Sequence, residues 1–114
     1  MRSERWVCGG RSWRVSVPET RHERSLGLRR RYRLDPDEAL LIFRCRSVHT
    51  FGMGFTIEVA LLDAALRVLS VTSMRPGRLQ LPRFGVRHVL ELPVGSGVQR
   101  GDQLTNARIS WLAR

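Results

Sequence analysis

Residues 45–63 read CRSVHTFGMGFTIEVALLD, and the folding of this stretch decides how the rest of the chain is arranged. It is the most apolar and least broken part of the sequence. It also holds the one compact group of reactive side chains: Cys45, His49, Thr50, Met53 and Glu58. At a period of two, Cys45, Ser47, His49, Phe51 and Met53 share one face of a strand, and Arg44, Arg46, Val48, Thr50 and Gly52 share the other. The run 57–62 is apolar on both faces apart from Glu58, the pattern of a central strand covered on each side. Between them, Gly52 and Gly54 flank Met53, and glycine in a strand pattern marks a bulge, a bend or a close backbone approach. If the two runs fold back on one another about this bend, position 49 falls opposite position 58.

The flanks read as simpler strands and turns. Trp13, Val15 and Val17 alternate with Arg14 and Ser16 as a half-buried first strand, which Pro18 ends. Thr20-Arg21-His22-Glu23 matches a capping box and predicts a short helix over 21–26, closed by Gly27 in a left-handed conformation. His22, in its first turn, reads as a solvated side chain. Residues 34–37 form a turn, and ALLIF at 39–43 is a short buried strand. Past 63, a strand returns from Leu66 to Val71 or Met74, Pro76-Gly77 breaks it, and 78–86 is a loop. Residues 88–92 alternate as another strand, and Gly101-Asp102 turns the chain into a last strand at 104–112. Residues 1–11 read as a flexible basic N-terminus and 12–114 as a single domain. Short apolar strands broken by Pro and Gly predict a mainly β fold: an antiparallel β-sandwich or barrel with one short helix near the N-terminus.

A chain of 114 residues has room for one hydrophobic core, and 42% apolar residues is an ordinary value for a globular domain. The charge is less ordinary: 20 basic against 10 acidic residues, every basic one an arginine. Residues 1–33 carry ten Arg against three Glu, so most of the net +10 sits in the first third. Cys8 and Cys45 are far apart with no C-x-x-C and read as free thiols. Neither a signal-peptide core nor an apolar run of membrane-span length is present, so the expectation is a cytoplasmic protein without a membrane span.

The central stretch resembles the signature of an uncharacterised bacterial and archaeal family, domain of unknown function family 192. Members of one branch are similar to HTFGMRFPIDVVFLD here, preceded by a Cys-Arg-Ser-Val run that matches residues 45–48. The likeness extends to Glu23-Arg24, Gly27-Leu28, the run 89–93 and Gly101-Asp102, and covers roughly residues 13–110. Gly54 stands where that branch carries Arg, Thr56 where it carries Pro, and Glu58 where it carries Asp. The resemblance implies the fold more firmly than a function, because the family has no settled activity. An Arg–Asp site in relatives would here lack its arginine.

The residues themselves offer limited chemistry. Cys45, His49 and Met53 suggest soft-metal ligation, but on a straight strand they span about 13 Å and about 26 Å. Ligands to one ion must converge to roughly 2.0–2.3 Å from it, so no metal and no cofactor is expected. His49 with Glu58 is a better couple, since a carboxylate opposite would orient the imidazole and raise its pKa. The alternative is a structural hydrogen bond within the sheet. Thr50 is a hydroxyl for the same place or a β-branched strand residue, and Met53 is a ligand contact or core filler. The tract VGSGVQRGD at 94–102 lacks the lysine and spacing of a phosphate-binding P-loop.

Three readings follow. The first is a small binding or accessory module, for an unknown small ligand or protein partner, with a pocket near the glycine bend at 52–54 lined by His49, Thr50, Met53 and Glu58. The second is an enzyme with a His49–Glu58 acid–base pair. The third is a charge-driven, non-specific nucleic-acid binder using Arg29, Arg30, Arg31 and Arg33, with nothing nearby to read bases.

Overall fold

The computed structural model describes residues 1–29 and 31–108. Among these residues nine strands and one complete helix follow in order: β1 Arg2–Cys8, β2 Arg11–Val17, α1 Arg21–Leu26, β3 Glu38–Ile42, β4 Val48–His49, β5 Ile57–Leu62, β6 Val68–Met74, β7 Leu79–Gln80, β8 His88–Leu92 and β9 Thr105–Asn106. Seven strands form one sheet in the order β6-β5-β8-β3-β2-β1-β9, and β4 pairs with β7 in a small second sheet. The fold is mainly β with one short helix, as the strand pattern predicts.

The three central strands β5, β8 and β3 are buried on both faces, which is why they read as near-continuous apolar runs. Alternate residues divide between two cores. Ala39, Leu41, Ala60, Leu62, Leu90 and Leu92 join Trp13, Val15 and Val17 on one face. Leu40, Ile42, Val59, Leu61 and Val89 join Leu28, Val48, Met53 and Val86 on the other. The sheet also curls until it nearly closes. Past Gly101 the chain hydrogen-bonds the start of β6, through Gly101 N–H to Val68 O at 2.8 Å and Val68 N–H to Asp102 O at 2.8 Å. It then runs on as β9, which pairs with β1 at the opposite end of the sheet. Both sheet edges are thereby partly covered, the usual defence against edge-to-edge association.

The helix forms where the capping box puts it. Thr20 Oγ1 accepts the Glu23 N–H at 3.0 Å, and Glu23 Oε1 accepts the Thr20 N–H at 3.1 Å. Gly27, at φ 51°, closes the last turn. The helix lies in the connection from β2 to β3, and that connection explains the one parallel pair in a sheet otherwise antiparallel. Parallel neighbours cannot be joined by a tight hairpin and need a crossover of this length.

Two expectations are corrected. Residues 2–8 are not a flexible tail: they are β1, paired with β2 along its whole length, with Trp6 opposite Trp13. Gly9 and Gly10, both at positive φ (62° and 73°), make the two-residue turn whose twist suits a β-hairpin. The second correction concerns the glycine bend. Segment 45–53 does not pair with β5; β4 is short and pairs with β7 instead. Both sides of β5 are already occupied, by β6 and by β8, so no hydrogen-bonding edge is left for it. The hairpin partner of β5 is β6. Asp63 closes that turn by accepting the N–H groups of Ala65 and Arg67, each at 2.9 Å, so the two alanines need no turn propensity of their own. The strand expected at 104–112 is reduced to β9: residues 107–108 are helical, and the rest of that expectation, Trp111 included, lies outside the described residues.

Candidate functional site

Of the four residues proposed to line one concave region, the fold keeps His49 and Met53 on one cleft and places Thr50 and Glu58 elsewhere. His49 is exposed on β4 opposite Leu79, and its ring stacks on Phe51 with centroids 4.9 Å apart. Glu58 sits on β5 between Ser73 and Leu92, on the same strand face as Ala60 and Leu62. Met53 belongs to the core on the opposite face. Glu58 instead accepts hydrogen bonds from Gly95 N–H at 2.9 Å and from the Ser96 hydroxyl, so the loop 94–97 is its partner. The His49–Glu58 acid–base pair is therefore not formed.

Thr50 is fully buried, and its polar atoms are all engaged in holding the β6–β7 turn. Its Oγ1 donates to Arg75 O at 2.6 Å and accepts the Arg78 N–H at 2.9 Å, while its carbonyl accepts the Gly77 N–H at 3.0 Å. It is a structural staple, with no hydroxyl left for a ligand. Thr50→Val keeps the shape but leaves the part-buried Arg75 carbonyl and Arg78 N–H without their partner. It should cost about 2 kcal/mol in urea denaturation, with faster amide exchange at Gly77 and Arg78. A loss below about 0.5 kcal/mol would show that the turn holds without it.

The arginine cluster is also less free than its sequence suggests. Arg31 makes a two-pronged ion pair with Glu38, both contacts at 2.7 Å, and its guanidinium holds that carboxyl below the ordinary range. Arg29 donates to Ser25 Oγ at 3.3 Å, and Arg33 lies 3.8 Å from Asp35. Arg30 lies outside the described residues.

What the fold does build is a cleft of about 350 Å³ between α1 with its trailing loop and segment 45–53. Arg21, Arg24 and Arg29 stand on one side; Cys45, Val48, His49 and Met53 stand on the other, with Leu28 and Ile42 among its apolar lining. Its most unusual member is Glu91 of β8, which the sequence reading passed over. Glu91 lies between Leu40 and Val59 in the sheet and is 6% exposed. Among the described residues no hydrogen-bond donor or cation acts on it, and burial alone pushes its carboxyl up to about 7. Cys45 is close enough to feel it. Burial raises the Cys45 thiol, Arg24 lowers it and Glu91 raises it further, while Sγ donates to Ser47 O at 3.1 Å. The signal for Glu91 was in the sequence, as a carboxylate inside HVLEL. Strict alternation hid it, because a strand with one wet face would have put Glu91 in water.

A second cleft of similar volume, about 350 Å³, lies beside Arg11, Phe55 and Val94. Arg11 there is committed to Ser96 O at 2.8 Å and Pro36 O at 2.9 Å, and lies 4.4 Å from the centre of the Trp13 ring. Of these two clefts, the first holds a carboxyl, that of Glu91, with no hydrogen-bond donor among the described residues.

The chain matches known proteins both in sequence and in fold. The family model DUF192, described as "Uncharacterized ACR", matches residues 6–106. The chain belongs to the DUF192 family. Archaeal relatives include a UPF0127 protein of Pyrococcus horikoshii, 39% identical over 49 residues, which are 43% of this chain and 43% of that protein. A UPF0127 protein of Pyrococcus abyssi is also 39% identical over 49 residues, 43% of this chain and 42% of its own length. This match therefore spans less than half the length of either relative. Among solved structures, this DUF192 chain is similar to a candidate transcription regulator from Sinorhizobium meliloti 1021, with TM-score 0.79 and 22% identity, covering 93% of this chain and 95% of that one. A protein of unknown function from Novosphingobium aromaticivorans aligns with TM-score 0.76 and 19% identity, over 90% of this chain and 84% of its own. At these identities the likeness establishes a shared fold. Among the described residues no helix is long and apolar enough to cross a membrane.

Proposed function

We propose that this protein is a binding module that takes a small amphiphilic anion into the Glu91 cleft. The observation that carries this reading is the carboxyl of Glu91, 6% exposed and without a hydrogen-bond donor among the described residues, within an apolar-walled cleft flanked by arginines. A buried polar group without a hydrogen bond is costly, and such groups are usually satisfied. A ligand hydroxyl, amide or ammonium reaching Glu91 would supply the missing bond. Leu28, Val48 and Met53 would cover an apolar middle, and Arg21, Arg24 and Arg29 would favour a carboxylate or phosphate at the other end. The cleft volume lies within the usual range for small-molecule sites, about 300–1,000 Å³. It also borders the Gly52–Gly54 segment through Met53.

The test is an amide NMR titration with a panel of probes that carry a donor at one end and an anion at the other, such as para-hydroxybenzoate and a short ω-amino acid. Saturable shifts are expected at Leu28, Val48, Met53 and Glu91. Arg24→Ala should weaken binding about tenfold, and Glu91→Leu should abolish it. Shifts that survive both substitutions, or no saturable shift with any probe, would refute this assignment.

A further inference from the structure

The turn that leaves β3 holds a second arrangement, separate from the Glu91 cleft. Arg44 sits at φ 53°, a left-handed conformation that non-glycine residues seldom adopt and that carries strain. Its main-chain N–H donates to His88 Nδ1 at 2.9 Å, and the Cys45 N–H donates to Arg87 O at 3.0 Å. Arg46 adds a longer bond from its guanidinium to Arg83 O at 3.4 Å. The turn at 43–46 is thus tied to the start of β8. Arg44, Arg46, Arg87 and His88, with Ala64, line an open cavity of about 280 Å³ between them.

The chemistry of that cavity is one-sided. Arg44, Arg46 and Arg87 are all exposed, and the arginine salt bridges found among the described residues involve Arg2, Arg14, Arg31 and Arg33 instead. Asp63, the carboxylate whose field reaches His88, has its Oδ1 occupied by the amides of Ala65 and Arg67. His88 accepts the Arg44 N–H on Nδ1, so its neutral ring carries the proton on Nε2 and can donate it. Burial, then Arg87 and Arg44, push its pKa down and keep that neutral form at physiological pH. Among the described residues no carboxylate pairs with these three guanidinium groups, and an anion between them would turn their mutual repulsion into attraction. Together with an imidazole N–H they offer more donors than the two oxygens of a carboxylate can accept. A tetrahedral oxyanion has enough oxygens to use them.

We propose that Arg44, Arg46, Arg87 and His88 form a binding site for a phosphate group, free or esterified. The first experiment titrates inorganic phosphate into the isotopically labelled protein and follows arginine Nε–H and histidine ring signals. The expected result is a saturable shift at Arg44, Arg46, Arg87 and His88. Affinity should fall about tenfold in Arg46→Ala and in Arg87→Ala. Both side chains are exposed, so folding should be kept, with unchanged amide spectra as the check. Arg5→Ala on β1, which contributes nothing to the cavity, is the control and should bind as the parent does. Parallel arms with a nucleoside monophosphate and with phosphatidate-containing vesicles identify the source. The arm that binds more tightly than inorganic phosphate, and is weakened by the same two substitutions, names the physiological carrier. Absence of saturation, or equal weakening by Arg5→Ala, would overturn the site and leave a diffuse surface charge effect.

Discussion

Glu91→Gln is expected to stabilise the protein by about 3 kcal/mol at about pH 8 and to remove a pH dependence present in the parent. Burial raises the folded-state carboxyl from 4.5 to about 7, so the folded chain holds a proton that the unfolded chain has released. The contribution is therefore fully present below about 4.5, is lost as pH rises through about 7, and is flat above that. Glutamine imitates the protonated acid at every pH. Urea denaturation of both proteins across this range is the measurement, and the difference between them isolates Glu91 from other titrating groups. Parallel curves for parent and variant would mean that Glu91 ionises as an ordinary surface acid. The cleft would then lose the feature that distinguishes it. A bound donor-bearing ligand should reduce the effect, because it supplies the hydrogen bond that burial denies.

Trp13→Ala should destabilise the fold by about 3–5 kcal/mol. The side chain has no exposed surface, stands opposite Trp6 in the β1–β2 hairpin, and donates Nε1–H to Cys8 O at 3.0 Å. Its removal leaves a cavity in the larger core cluster and a buried carbonyl without its donor. Trp13→Phe fills most of the volume and should cost less, roughly 1–3 kcal/mol, mainly through the unpaired carbonyl. Midpoints in denaturant are the readout. A loss below about 1 kcal/mol for the alanine variant would show that the N-terminal hairpin unfolds separately from the rest of the sheet.

The sequence was legible wherever a local rule had no competitor. The helix at 21–26 follows from four residues that satisfy each other's backbone groups, and nothing distant could offer those groups a better arrangement. The strand at 57–62 follows from its uninterrupted apolar run, and that at 88–92 from alternation. The N-terminal hairpin was misread because charge at residues 1–11 outweighed Gly9-Gly10, a two-residue turn signal flanked by tryptophans at positions 6 and 13.

The site was not legible, for a different reason. His49 and Glu58 were joined by assuming that neighbours in sequence pair in space, whereas β5 takes its hydrogen bonds from β6 and β8. Pairing is a competition among all strands of a sheet, and the residues that win are remote in sequence. Glu58 consequently found its partners at Gly95 and Ser96, and Thr50 found its own at Arg75 and Arg78.

The amino-acid pattern by itself determined the family, the β class, the helix and the identity of the core strands. The family rests on the resemblance carried by residues 45–63, and the other three on propensity, capping or periodicity within a few residues. Only the tertiary structure decided which polar groups meet. It buried Glu91 within an arginine-flanked cleft, sent Glu58 to the opposite face of the sheet from Met53, and gathered Arg44, Arg46, Arg87 and His88 around one cavity. Desolvation and charge convergence are set by what the whole chain packs around a residue, and a local pattern holds no record of that.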